Sequence, residues 1–287
     1  MNLDHLAALV AVVDEGSFDA AARALHVTPS AISQRIKALE KEHGRVLLVR
    51  SSPARPTGDG EVFLRFARQV ARLQTDVLAE LNPTTTRRHL PLVVNADSLA
   101  TWFVPVLAEA AGWDDVRLEL LVEMEDHGTR HLRTGAAVGA VTSDPVAVTG
   151  CSVEPLGRLR YLPVCTPGLR DEHSRSGEVD WGALPMMQFD DRDDLQHRLL
   201  RSRDVNEPDV VHLVPDNHAF LAAIRAGLGW GLVPEAQLAP LPPGELVRLT
   251  DDVVDTELSW QSWRLPSRVG ARLTEAVRRA ARVGLRR

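Results

Sequence analysis

Residues 17–41, SFDAAARALHVTPSAISQRIKALEK, constrain the chain most, because they fix two short helices on either side of a tight turn. Ile32, Ile36 and Leu39 recur at i, i+4 and i+7 and so share one side of the second helix. Ser30, Ser33, Gln34 and Lys37 follow i, i+3, i+4 and i+7 and fall on the opposite side. Thr28 suits the N-cap and Pro29 the first turn, where no amide donor is needed. A helix that packs by its back and shows polar side chains in front has the form that enters the major groove of DNA. Taken alone, the segment is equally an amphipathic surface helix, so its neighbours have to decide.

They extend the pattern. Leu3, Leu6, Leu9, Val10 and Val13 give a preceding helix that stops at Gly16, and Phe18, Ala21, Ala22 and Leu25 face inward from the next. Strand-like residues 46–49 and the turn formers Ser51, Ser52 and Pro53 predict a β-hairpin wing flanked by Arg50 and Arg55. The spacing thus predicts an N-terminal all-α winged helix-turn-helix over residues 1–57. The net charge of −6 does not advertise a nucleic-acid partner. Its distribution does: from 33 to 55, Arg35, Lys37, Lys41, Arg45, Arg50 and Arg55 stand against Glu40 and Glu42. The candidate DNA contacts are therefore Thr28, Ser30, Ser33, Gln34, Arg35, Lys37, Arg50 and Arg55.

A long linker helix is expected over residues 58–81, where Phe63, Phe66, Val70, Leu73 and Val77 step by three and four as in a coiled-coil seam. Such a helix joins two copies, and two reading helices then meet half-sites about one DNA turn apart. Packing against its own domain is the alternative. Residues 82–88 are a polar hinge that completes the linker at 58–88. From 89 to 287 the texture alternates. Residues 90–94, 116–122, 138–141, 161–165, 210–214 and 231–233 read as strands; 99–111, 195–200 and 219–226 read as helices. That predicts an α/β domain with largely parallel sheets, divided into lobe I (about 89–162 and 259–287) and lobe II (about 163–258).

FDAAARALHVTPSAISQRIKALEKEHG and LLVRSSPARPTGDG resemble the LysR-type transcriptional regulators. NADSLATWFVP, LGRLRYLPV, FDDRDDLQ, GLGWGLVPE and LSWQSW are similar to the branch of that family containing arginine- and lysine-responsive, lysine-export regulators. The resemblance covers the whole chain. It implies a two-lobed, periplasmic-binding-protein-like effector domain after the linker helix, and a homodimer or tetramer on double-stranded promoter DNA. It further implies control of a basic amino-acid exporter gene, and RNA polymerase as a partner if the regulator is an activator. The effector implied is lysine or another basic amino acid, with no cofactor.

An amino acid needs anion donors at one end and carboxylates for its ammonium groups. Asp97, Ser98, Leu99, Ala100, Thr101 and Trp102 sit where a strand gives way to a helix, whose free N–H groups suit a carboxylate. Ser98 and Thr101 offer hydroxyls, and Trp102 a wall for the aliphatic stem. Capping alone also explains Asp97 or Ser98. Glu123, Glu125, Asp126, Asp144, Asp190, Asp216 and Asn217 follow strands, at the ends where open α/β sheets hold ligands. Asp190, Asp191, Asp193 and Asp194 cannot all point inward, because adjacent like charges repel.

His127 and His131 lack a third metal ligand at fixed spacing. The glycines of Gly227-Leu228-Gly229-Trp230-Gly231 precede a strand rather than follow one, so they suit close packing and not a phosphate loop. No GxSxG, Walker or HExxH motif occurs, which argues against an enzyme. Cys151 and Cys165 read as buried free thiols. No apolar run reaches the roughly 18–20 residues that span a membrane, and the first residues lack a basic leader, so a cytoplasmic protein with no membrane contact is expected. The competing reading is a cytoplasmic solute-binding module with an oligomerising helical N-terminus.

Overall fold

Three helices, α1 (Leu3–Asp14), α2 (Phe18–Ala24) and α3 (Pro29–His43), build the N-terminal unit of the computed structural model. It describes residues 1–49, 51–81, 87–123, 129–175, 177–264 and 267–287. Each helix starts on a side-chain cap: Asn2, Ser17 and Thr28 accept the backbone N–H groups of Asp4, Ala20 and Ala31. Leu6, Leu9, Val12, Ala21, Ile32, Ile36 and Leu39 close into one core with Leu47 and Leu64. The wing is the antiparallel pair β1 (Leu48–Val49) and β2 (Arg55–Pro56). It is shorter than residues 46–49 suggested, because Leu47 and Leu48 both bury and break the alternation of a two-faced strand.

Helix α4 (Gly58–Leu81) has the expected bounds. Leu64 and Ala67 pack into the N-terminal core, and the Phe63 ring lies 4.8 Å from that of His43. Phe63 therefore belongs to the core side and not to the outward seam. Val62, Phe66, Leu73 and Val77 are exposed and form the outward apolar row.

The C-terminal part runs β3 (Arg88–Val94), α5 (Ala96–Ala100), α6 (Val104–Ala110), β4 (Val116–Val122), α7 (Thr129–Arg133), β5 (Gly139–Thr142) and β6 (Cys151–Cys165). It continues with α8 (Pro167–Glu172), β7 (Ser174–Arg175), β8 (Glu178–Val179), β9 (Met186–Gln188), α9 (Leu195–Ser202), β10 (Val211–Leu213) and α10 (Asn217–Arg225). β11 (Gly231–Pro234), α11 (Glu235–Leu238), β12 (Val247–Arg248), β13 (Val254–Trp263) and α12 (Arg268–Gly284) complete it. The main sheet has the order β11-β6-β13-β5-β3-β4, with β12 also on β6. β4, β3 and β5 are parallel, as expected, but β13 runs antiparallel to both β5 and β6, and β11 and β12 run antiparallel to β6.

The sheet is thus mixed rather than largely parallel, and the cause is local. β6 is 15 residues long, and only its last five were legible, because Pro155 and Gly157 read as breakers. The sheet absorbs them in a register shift between Leu258 and Ser259, which pair with Gly157 and Pro155. β9 and β10 form a separate parallel pair, joined to the main sheet where Met187 N–H donates to Trp230 O at 2.7 Å. Trp230, Trp260, Tyr161 and Phe103 are the largest fully buried side chains, and Leu273, Val277 and Ala281 of α12 cover the same core.

Candidate functional site

On α3 the buried and exposed sides are those that the spacing predicted. Ile32, Ile36 and Leu39 are buried, Ser30, Gln34 and Lys37 are exposed, and Ser33 is half-buried. Thr28 Oγ1 is already engaged, as the cap of Ala31 and in a 2.9 Å contact with Ser30 Oγ. Arg35 does not point straight outward: its guanidinium lies 3.6 Å from Asp4. Arg55 is exposed on the wing, and Arg50 lies outside the described residues.

A cleft of about 510 Å³ opens beside the carboxyl ends of β3, β4 and β9. Its walls carry Asp97, Glu123, Asp190, Asp193, Asp194, Asp255 and Glu257 against Arg192 and Arg198. Asp97 stands at the start of α5 and accepts from Tyr161 Oη at 2.7 Å and from Asn217 Nδ2 at 3.1 Å. Burial pushes its carboxyl up to about 6, with the Asp193 charge adding to the rise and the Tyr161 and Asn217 hydrogen bonds opposing it. Asp193 is 5% exposed, and its carboxylate accepts the Phe189 and Leu195 N–H groups at 3.0 Å each. Burial raises its pKa too. Partial burial also works against Asp190, but the Arg192 N–H and guanidinium outweigh it and hold Asp190 below the usual carboxylate range. Glu123 Oε1 lies 3.0 Å from His131 Nε2.

The rest of the expected set lies elsewhere. Ser98 is fully buried and accepts the Trp102 indole N–H at 2.8 Å. Trp102 is 4% exposed, packs edge-on to Phe103 and covers Gly284, so it is core and not a cleft wall. Leu99 leans on the same core, Ala100 is half-buried away from the cleft, and Thr101 turns its hydroxyl back to Asp97 O. The cause is length: α5 has only five residues, so a single turn reaches the cleft. Asp144 Oδ1 closes a turn on Val146 N–H, and Asp216 caps α10 through Ala219 N–H. Glu125 and Asp126 lie outside the described residues, as does His127.

Residues 3–61 match a family described as bacterial regulatory helix-turn-helix protein, lysR family, and residues 84–284 match the LysR substrate binding domain. The chain belongs to the LysR family. It is similar to a lysine export transcriptional regulatory protein, LysG, of Corynebacterium efficiens, 49% identical with all of both chains covered. Among solved structures it resembles ArgP from Mycobacterium tuberculosis, 44% identical with 98% of each chain covered and a TM-score of 0.88. Full-length LysG from Corynebacterium glutamicum, 45% identical over all of both chains, gives 0.85 in a structure with bound effector Arg and 0.66 in a second structure.

A LysR-family chain is a DNA-binding transcriptional regulator and not an enzyme, and the helix-turn-helix match displaces the solute-binding alternative. Among the described residues no group of His, Cys, Asp and Glu could hold a metal ion, and no helix is long and apolar enough to cross a membrane. Both cysteines are free and buried, their thiols pushed up to about 11 by burial. Sequence reasoning missed Tyr161, Gln196, Asp255, Thr256 and Glu257 on or beside the cleft. The available signal was the alternation of Val254, Thr256, Leu258 and Trp260, which are buried along β13 while Asp255 and Glu257 are less so.

Proposed function

We propose that the cleft binds a basic amino acid, arginine or lysine, and that its occupancy sets how paired copies of the chain sit on the promoter of an amino-acid exporter gene. The observation that carries this reading is the excess of carboxylates in the cleft around Asp97, whose half-buried carboxylate gains a counter-charge when a cation is placed against it. Asp97, Glu123, Asp190 and Asn217 are the expected residues that line the cleft, and Asp193, Asp255 and Glu257 join them. Arg192 and Arg198 are the cationic groups for the ligand's carboxylate. The relatives named for lysine export, and the one whose structure holds arginine, point to the same ligand class.

In this reading residues 1–57 read DNA, 58–88 link and dimerise, and 89–287 bind the effector between lobes 89–162 plus 259–287 and 163–258. Ser30, Ser33, Gln34 and Lys37 meet base edges or nearby phosphates; Arg35, Arg50 and Arg55 meet the backbone, with Thr28 as the cap. The exposed row on α4 is the seam between two copies, and two dimers make the tetramer. Calorimetric titration with arginine, lysine and histidine, paired with a mobility shift of the exporter promoter, tests it. Binding of none of the three, or equal retention of promoter and random duplex, overturns it.

A further inference from the structure

We infer that Arg68 and Arg72 are positioning residues that tie occupancy of the acidic cleft to the pose of the DNA-reading unit, acting through α7. The inference rests on the proposed reading of the cleft and adds a route out of it. Both side chains leave α4 toward the effector domain. Arg68 Nη1 donates to Thr134 O at 2.8 Å, and Arg72 Nη2 donates to Gly135 O at 2.7 Å. These carbonyls end the helical turn of α7, where the orphan acceptors of a helix carry partial negative charge. Arg68 also forms an ion pair with Asp14, at the end of α1. One guanidinium thereby bridges the effector domain and the DNA-reading unit.

The contact is close as well as charged. Gly135 is left-handed at φ +73°, and a side-chain carbon there would come within 3.1 Å of Arg65 Cα. Leu132, between His131 and Thr134, is fully buried with Val93 and Ala140 and anchors α7 to the sheet, so His131 and the Thr134–Gly135 carbonyls belong to one packed turn. The middle of the same helix meets the cleft: His131 holds Glu123, and Glu123 lines the cleft wall. His131 and Gly135 line the opposite cavity, a groove of about 930 Å³ between α4 and the effector domain. The Glu123–His131 pair therefore stands between the two cavities.

A cation entering the cleft competes with His131 for the Glu123 carboxylate. Any preference it has for one arrangement of that pair is passed by α7 to Arg68 and Arg72, since a ligand shifts an equilibrium only by its differential affinity. The Corynebacterium glutamicum relative has TM-scores of 0.85 and 0.66 against this chain in its two structures, so that sequence adopts two different shapes.

Amide hydrogen exchange on the full-length protein, with and without saturating L-arginine, reads the route directly, after calorimetry has established whether arginine binds. In the wild-type chain arginine should change exchange in the cleft segment 186–198, in 129–136 and in 62–76, the last by roughly fivefold or more. R68M/R72M, which keeps the aliphatic stems, should still saturate with arginine, its affinity changed by no more than the lost coupling, and show the cleft change while 62–76 no longer responds. H131A removes the competitor for Glu123, so it should bind arginine at least as tightly as wild type while 62–76 no longer responds, and it serves if circular dichroism finds the double variant unfolded. A response of 62–76 that survives in the folded variants overturns the route, as does arginine binding that leaves 62–76 of the wild type unchanged. No arginine binding at all overturns the reading of the cleft itself, and the route with it.

Discussion

The Tyr161 hydroxyl donates to Asp97 Oδ2 at 2.7 Å, joining strand β6 to helix α5 at the wall of the cleft. Tyr161 is fully buried, so the hydrogen bond fixes where the acid sits. Tyr161→Phe should weaken arginine binding and destabilise the fold by about 1–3 kcal/mol, the cost of removing one partner from a buried polar pair. Calorimetry and urea unfolding measure the two effects; wild-type values in both would remove Tyr161 from the site.

Asp97 should make ligand binding pH-dependent. Its folded pKa is raised to about 6, so a cation that needs the carboxylate must displace a proton below that pH. Arginine affinity should be about tenfold weaker at pH 5 than at pH 7, with proton release on binding. Stability runs the opposite way: the native state holds the proton more tightly than the unfolded chain. Ligand-free stability should therefore fall as pH rises from about 4 to 6. Asp97→Asn should flatten both profiles, and titrations across that range decide.

Ser98→Ala separates core from cleft. The change strands the Trp102 indole N–H and should cost about 1–3 kcal/mol in unfolding free energy. Arginine affinity at pH 7 should stay at the wild-type value. A loss of affinity without a loss of stability would return Ser98 to the effector site.

Lys37 and Gln34 should behave differently on DNA. Lys37→Ala should lower promoter affinity across sequences and reduce the slope of log affinity against log salt by about 0.9 if it neutralises one phosphate. Gln34→Ala should relax base preference at one position and leave that slope alone. Anisotropy titrations at several salt concentrations distinguish them.

The apolar row of α4 should control assembly. Leu73 and Val77 are 46% and 58% exposed, an arrangement that a second copy would bury. Leu73→Asp with Val77→Asp should shift the sedimentation profile toward monomer and lower promoter affinity, since two half-sites are no longer held together. A dimer that persists in the double variant would place the seam elsewhere.

What was legible followed from local periodicity. α1, α3 and α4 could be read because Leu6 and Leu9, Ile32 and Ile36, and Phe66, Leu73 and Val77 recur at helical spacing, and α3 begins on the recognisable cap Thr28. β4 matched residue for residue. β13 and α12 went unread, although the alternation of the first and the spacing of Leu273, Val277 and Ala281 on the second were present. β6 was hidden by Pro155 and Gly157, whose cost as breakers is offset only when β13 pairs around them.

The amino-acid sequence by itself determined the reading helix and its two faces, the linker helix, and the family to which the chain belongs, because these depend on neighbours within a few residues. Only the tertiary structure decided which carboxylates share a cavity. Asp97 and Asn217 are 120 residues apart in the chain yet hydrogen-bonded, whereas Asp144 and Asp216, likewise placed after strands, close local turns. Position after a strand says that a side chain can reach a cleft; sheet order and helix length decide whether it does.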